Sequence, residues 1–323
     1  MTARDVGWGV IGASSWAKRT FGPAIVAAEN GRLCAVLSRD QAKAERLCEQ
    51  YDVPNGYTDL SAFLADPDVE AVWVAGPNHL HADHTIAALQ GGKHVLCEKP
   101  MATTAADCEK MIAAAEKAGK LLSIGYHMRY HPLHQQLQAD WMAGKFGKPI
   151  CVRGQLYFAY PRPPGEWRQK RATSGGWAIC DVGTHLIDLL RWFLGDAADV
   201  HGELSSQKFG YETDDHAVVT VRFENGALGI ADGSTGAGAP APRLELYGSD
   251  QYCILEGTLF GTGGKVAIGK LSQPPEVTNG EFAALYQLEA EAFGRAILDG
   301  ADLPLTARDG LANLEIIERA RGW

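Results

Sequence analysis

The sequence predicts an α/β fold in two domains. Residues 1–124 read as a doubly wound parallel sheet, and residues 125–323 as an α+β domain with a large, mostly antiparallel open sheet. Three observations carry this. Short apolar runs alternate with helical patterns through the first 124 residues, the rhythm of parallel strands joined by helical crossovers. The first apolar run, Val6–Ile11, closes on Gly12 and passes straight into the helical stretch opened by Ala13-Ser14-Ser15-Trp16-Ala17. Beyond Gly125 the runs lengthen, and Asn225-Gly226 between Phe223 and Ala227 is a two-residue hairpin signal.

The gross numbers narrow the function classes. A chain of 323 residues can bury two cores. With 46% hydrophobic and 21% charged residues it is ordinary for a folded soluble protein. A net charge of −9 and no long basic block argue against nucleic acid or an anionic membrane as the main partner. No apolar run approaches the ~18 residues of a membrane span. No signal or lipidation motif is read, so the expected location is the cytoplasm. Cys34, Cys48, Cys97, Cys108, Cys151, Cys180 and Cys253 stand singly, without Cys-x-x-Cys spacing, which suits buried thiols in a reducing compartment.

In the first half, Gly12 makes the turn after the first strand and Ala17 lets helix and strand pack closely. Ser14 stands where G-x-G-x-x-G has its second glycine, and its hydroxyl could serve a pyrophosphate. A turn of this kind without a ligand is the plain alternative. The helix is expected to run to Ala28. Then follow a strand at Leu33–Leu37, helices at Gln41–Tyr51 and Asp59–Leu64, a strand at Val69–Ala75 and a helix at Leu80–Gln90. A strand at Val95–Cys97, a helix within Met101–Ala118 and a strand at Leu121–Ile124 complete the pattern, with Pro100 placed at the start of that helix. This is the layout of a dinucleotide-binding domain, with Gly12, Ser14, Ser15 and Trp16 on the phosphate side.

The second strand ends Val36-Leu37-Ser38-Arg39-Asp40. An NAD site places an acid there for the ribose; Ser38 is neutral and leaves room for a 2′-phosphate that Arg39 and Lys43 can meet. NADP(H) is therefore the expected cofactor, with NAD(H) kept open by Asp40. The Gly76-Pro77-Asn78 turn would border the nicotinamide. His79, His81 and His84 lie just behind it, but no carboxylate is spaced as a further ligand and no metal is expected.

His94-Val95-Leu96-Cys97-Glu98-Lys99-Pro100 brings Lys99 to the carboxyl end of a strand, where open parallel sheets keep their ligand crevice. A solvated lysine is the plain alternative.

In the second half, Tyr126 to Pro132 leads into a helix at Leu133–Ala143. Strands follow at Ile150–Tyr160, Ala217–Phe223 and Ala227–Gly233, with shorter ones near 244–248, 252–255 and 265–271. Helices at Glu281–Leu298 and Ala307–Arg319 close the chain. Gly261-Thr262-Gly263-Gly264-Lys265 lacks the Walker spacing and reads as a glycine-rich hairpin. The informative stretch is Trp167-Arg168, then Gly175-Gly176 and a helix carrying Asp181, His185 and Asp188 at i, i+4 and i+7, hence on one face. A carboxylate in a first turn is favoured by the helix dipole, and a histidine can accept an alcohol proton near neutrality. Read alone, both residues also fit a helix start and a satisfied core histidine.

Taken together, the chain resembles the glucose–fructose oxidoreductase/inositol dehydrogenase/rhizopine catabolism (Gfo/Idh/MocA) family along its whole length. The likeness rests on Gly12-Ala13-Ser14, Asn78 to His81, Gly92 to Pro100 with Glu98-Lys99-Pro100, Trp167-Arg168, and Asp181-Val182-Gly183-Thr184-His185. The resemblance implies an amino-terminal Rossmann domain and a carboxy-terminal domain whose open sheet joins copies into a homodimer or homotetramer. It also implies hydride transfer between NAD(P) and a sugar, cyclitol or related polyol. Lys99 and His185 would then be catalytic and Asp181 a catalytic and substrate-binding carboxylate. Pro77, Asn78, His81, Glu98 and Arg168 would lie around the cofactor. Tyr126, Arg129, Tyr160 and Trp167 are candidate pocket walls for the carbohydrate. The Gly-Ala-Ser opening is similar to that of NADPH-dependent 1,5-anhydrofructose reductases. Two rival readings of this likeness are a glycosidase that oxidises its sugar transiently and a non-catalytic cofactor-binding regulator.

Overall fold

A computed structural model describes residues 4–238, 241–270 and 272–323. The chain divides into two compact units. One runs to His127 and takes back Ala284–Leu311; the other holds Met128–Ala283 and Ala312–Trp323.

The first unit is a six-stranded parallel sheet: β1 (Val6–Ile11), β2 (Gly31–Leu37), β3 (Asn55–Tyr57), β4 (Ala71–Val74), β5 (His94–Cys97) and β6 (Leu122–Ile124). Its order, β3-β2-β1-β4-β5-β6, reverses direction between β1 and β4, the switch point at which such sheets bind dinucleotides. Every residue of β1 is buried, as expected of a strand covered on both faces. Trp8 and Trp73 project to one side and pack with Phe21, Phe293 and Tyr286. Each such aromatic pair contributes roughly 0.5–1.5 kcal/mol beyond its burial. Because Tyr286 and Phe293 lie on the helix Leu285–Asp299, that helix belongs to this unit, which a single boundary at 124/125 does not foresee.

Three local differences have physical causes. The helix after Gly12 is broken into Ser15–Arg19 and Phe21–Ala27, because an unbroken helix would drive the Pro23 ring into the carbonyl of Arg19. The helix after Lys99 starts at Ala105 rather than at Pro100. Thr104 caps it by accepting the Asp107 N–H (3.2 Å), and the Lys99-Pro100 bond is cis. The short edge strand β3 carries Gly56 and no apolar alternation, so nothing in its pattern announces it.

The second unit is an eight-stranded sheet of β7 (Pro149–Tyr157), β8 (Ala197–Ser205), β9 (His216–Phe223), β10 (Leu228–Ser234), β11 (Arg243–Gly248), β12 (Gln251–Glu256), β13 (Thr262–Lys270) and β14 (Glu276–Phe282). The order is β14-β13-β12-β11-β7-β10-β9-β8, antiparallel except for β7 beside β10. The Asn225-Gly226 hairpin joins β9 to β10 as expected, with Gly226 at φ 84. Leu271, the last residue of the strand expected near 265–271, lies outside the described residues. The strand β14 occupies the start of the helix expected from Glu281. Ala217, Val219, Val221 and Phe223 alternate into the core, which the helix Thr184–Leu194 covers. The other face is mixed: Tyr157 Oη donates to Asp232 (2.6 Å) and Arg153 Nε to Glu245 (2.5 Å), beside Val218, Leu228 and Ile230. Among the described residues no helix is long and apolar enough to cross a membrane, and no three His, Cys, Asp or Glu side chains converge as metal ligands.

Candidate active site

In the first unit, three strand ends deliver the candidate residues. After β1, Gly12 turns at φ +115, and a Cβ there would lie 2.9 Å from Ala75 O; only glycine lets the chain pass so close to the end of β4. Ser14 accepts the Ala17 N–H (3.1 Å) as helix cap, and its hydroxyl proton stays available to an anion. Trp16 is 46% exposed, with its ring edge-on to Tyr286. The Ser15 side chain lies outside the described residues.

After β2, Ser38 Oγ accepts the Asp40 N–H (3.2 Å). Asp40 caps the helix Gln41–Tyr51 through the Lys43 N–H (3.2 Å) and pairs with Lys43 Nζ (3.6 Å). The acidic side chain is thus turned onto its own helix, while Arg39 is exposed. A glycine turn at the switch point, hydroxyl donors and a cation beside it form a donor set that fits a dinucleotide phosphate.

After β5, Lys99 is half-buried. The turn behind it is tied by His81, which is 1% exposed and places Nδ1 2.8 Å from Pro100 O and Nε2 2.9 Å from Gly76 O. Burial pushes the His81 ring down to about 4, against the pull of those two carbonyls, and the Lys99 charge adds to the depression. His127, stacked on Tyr286 at 4.2 Å, is lowered to about 3 by burial and then by Lys99. Both rings near Lys99 are therefore neutral at physiological pH. Glu98 is buried, and its carboxylate accepts the Trp73 indole N–H (3.3 Å). Asn78 is also buried, on the turn that follows Pro77.

In the second unit, Glu166 opens a short helical turn carrying Trp167 and Arg168. Arg168 donates Nε to Asp181 (2.7 Å) and Nη1 to Glu166 (2.7 Å), with its guanidinium 4.1 Å over the Trp167 ring. Burial works against this cation, but Asp181 and Glu166 outweigh it and its pKa is raised. Arg162 lies 3.5 Å over the Tyr160 ring. Asp181 sits on a widened turn, Ile179–Gly183, where the Thr184 N–H reaches back five residues to Ile179 O. His185 follows in the first turn of the helix Thr184–Leu194 and is 5% exposed.

The widened turn interrupts the regular helix on which Asp181, His185 and Asp188 were expected to share a face. Asp188 is 1% exposed and takes Arg129 Nε (2.8 Å), Arg129 Nη2 (2.7 Å) and Asn313 Nδ2 (2.8 Å). Arg129 is thereby corrected from a pocket wall to one half of a buried ion pair. Tyr126, at 1% exposure, is likewise packed inside rather than presented to a ligand. His81 spends both ring nitrogens on main-chain carbonyls, Glu98 faces Trp73, and Arg168 is anchored to Asp181. Sequence reasoning missed Asp214, whose carboxylate accepts the Trp177 and Ile179 N–H groups at 2.8 and 2.7 Å. The available signal was an uncapped Gly175-Gly176 helix start, which had to find an acceptor elsewhere.

Comparison with known proteins agrees with the fold of both units. Residues 6–126 match the model of the "Oxidoreductase family, NAD-binding Rossmann fold", and residues 134–253 that of the "GFO/IDH/MocA C-terminal domain". A 1,5-anhydro-D-fructose reductase from Ensifer adhaerens is 30% identical over 322 residues, 95% of this chain and 92% of the relative. A scyllo-inositol 2-dehydrogenase (NADP(+)) from Bacillus subtilis is 29% identical, covering 81% and 78%. The crystal structure of an aldose-aldose oxidoreductase from Caulobacter crescentus, complexed with glycerol, has a TM-score of 0.90 at 28% identity, covering 99% of this chain and 98% of that one. The chain belongs to the Gfo/Idh/MocA family of oxidoreductases.

Proposed function

We propose that the protein moves hydride between NADP(H) and a CH–OH carbon of a sugar, cyclitol or related polyol. The observation that carries this is Lys99: a cation at the carboxyl end of a central parallel strand, near two buried rings held neutral. A cation so placed can stabilise an alkoxide as its charge develops. Gly12, Ser14, Arg39, Pro77 and Asn78 hold the dinucleotide, whose nicotinamide supplies the hydride acceptor or donor. For oxidation, His185 takes the hydroxyl proton while the Lys99 ammonium stabilises the oxygen as its negative charge develops. Asp181, fixed by Arg168, accepts a hydrogen bond from a second substrate hydroxyl and orients the ring. Reduction reverses these steps.

Preference for NADP is supported by Ser38 in the acidic position and by Asp40 being turned to its own helix. Two relatives are named for NADP(+), and a structural neighbour at 25% identity was solved with NADP. The face of the eight-stranded sheet that carries Arg153, Glu245, Tyr157 and Asp232 is the surface through which copies assemble into a dimer or tetramer.

The test is a panel of sugars, cyclitols and 1,5-anhydrosugars with NADP and with NAD, read as reduced-nicotinamide absorbance. Turnover of at least one polyol or keto-sugar, with higher kcat/KM for NADP, is the expected result. No absorbance change with any pair overturns the activity, and higher kcat/KM for NAD overturns the cofactor assignment.

A further inference from the structure

The turn that carries Asp181 has no side-chain cap of its own. Three successive main-chain N–H groups at its start are met by one residue from another element. The Asp214 carboxylate accepts from Trp177 (2.8 Å) and Ile179 (2.7 Å), and Asp214 O accepts from Ala178 (3.1 Å). The preceding residue holds the other partner of the ion pair, since Thr213 Oγ1 donates to Arg168 O at 2.8 Å. Thr213 is 1% exposed and Asp214 6%. Gly176 makes the seat for the carboxylate: it turns at φ +122, and a Cβ there would stand 2.9 Å from Asp214 Oδ1.

We infer that Thr213-Asp214 is a positioning pair for the reaction. By gripping the main chain of Arg168 and the start of the Asp181 turn together, it sets the Arg168–Asp181 ion pair and the angular place of His185, without touching substrate. This rests on the proposed role of Asp181 and His185. The first N–H groups of a helix have no partner within it, and a carboxylate buried against them is not mere filling. Burial raises the Asp214 carboxyl to about 6, with Asp215 adding to the rise and the two N–H bonds opposing it. Asp215 itself is engaged by the N–H groups of Gln207, Lys208 and Phe209.

The test compares Thr213→Val, Thr213→Ser and Asp214→Asn in the full chain. Folding is checked by circular dichroism and dinucleotide Kd by tryptophan fluorescence. Thr213→Val and Asp214→Asn should lower kcat by about 10- to 100-fold, the scale of a misplaced site, with dinucleotide Kd within about twofold of the parent. Thr213→Ser, which keeps the hydroxyl, should restore kcat. Ring-nitrogen chemical shifts of His185, which need no substrate, should move in Thr213→Val and stay in Thr213→Ser. Folded variants with parental kcat and unmoved shifts overturn the inference, as does equal loss in Thr213→Ser. If Asp214→Asn does not fold, the Val/Ser pair decides. A parent protein that turns over nothing in the panel overturns the proposed function, and the chemical shifts then judge the positioning role alone.

Discussion

Lys99 and Asp181 are held in opposite ways. Lys99 stands where a parallel strand ends, and the His81 ring lies between the carbonyls of its neighbour Pro100 and of Gly76, donating to one of them when neutral. Asp181 stands on a widened helical turn, and the support behind it is the carboxylate of Asp214. The first position follows from sheet topology and needs only a tie. The second lies near a helix start, whose first N–H groups take their acceptors from elsewhere in its unit. The chemistry of the supports differs as well, because burial favours the neutral form of one and the other is a carboxylate. Acid therefore acts on them with opposite sign.

The largest expected effect uses that sign. The His81 ring is lowered from 6.5 to about 4 on folding, so its contribution is fully present above pH 6.5 and lost as pH falls toward 4. The shift corresponds to about 3 kcal/mol. Asp214 is raised from 3.8 to about 6, so it favours the folded state below about pH 4 and loses that contribution as pH rises through 6, again by about 3 kcal/mol. Unfolding free energies in denaturant between pH 4 and 7 should therefore show a shallower acid-side fall for His81→Leu than for the parent. Asp214→Asn should show a steeper one. Parallel curves for all three proteins would break the comparison.

A smaller effect separates the tie from the fold. His81→Leu removes both ring contacts and should cut kcat by roughly 10- to 100-fold at pH 7. His81→Gln, which can still donate to one carbonyl, should retain more. If both variants are folded and equally active, His81 only packs. The smallest effect distinguishes the two glycine seats. Gly12→Ala and Gly176→Ala both force a side chain into positive φ, at about 1–3 kcal/mol each. Calorimetry should show similar losses of Tm. Gly12→Ala should then raise dinucleotide Kd and Gly176→Ala should lower kcat; the reverse assignment would exchange the roles given to the two units.

Much of this was legible in the sequence because the signals are periodic or terminal. The alternating runs up to Ile124 identify the parallel sheet, and Gly12, Lys99 and Asp181 lie at element ends where pattern gives way to chemistry. Asn225-Gly226 marks its hairpin because that turn demands positive φ. What stayed hidden is tertiary. Nothing in the local pattern says that Leu285–Asp299 returns to cover Trp8 and Trp73. Nor does it say that Arg129 finds Asp188 across 59 positions, or that Asp214 serves main-chain groups 35 and 37 positions earlier. The widened turn at Ile179–Gly183 was invisible for the same reason. Helical spacing assumes a regular helix, and the acceptors for the helix start come from the segment before β9.

The most direct test of the account is Lys99→Ala, assayed with the best substrate of the panel while dinucleotide binding is measured separately. Loss of one electrostatic stabiliser should cost about 3–4 kcal/mol, or on the order of a hundred- to a thousandfold in kcat, with dinucleotide Kd retained. Turnover kept near the parental rate in that variant would contradict the assignment of Lys99 to the chemistry.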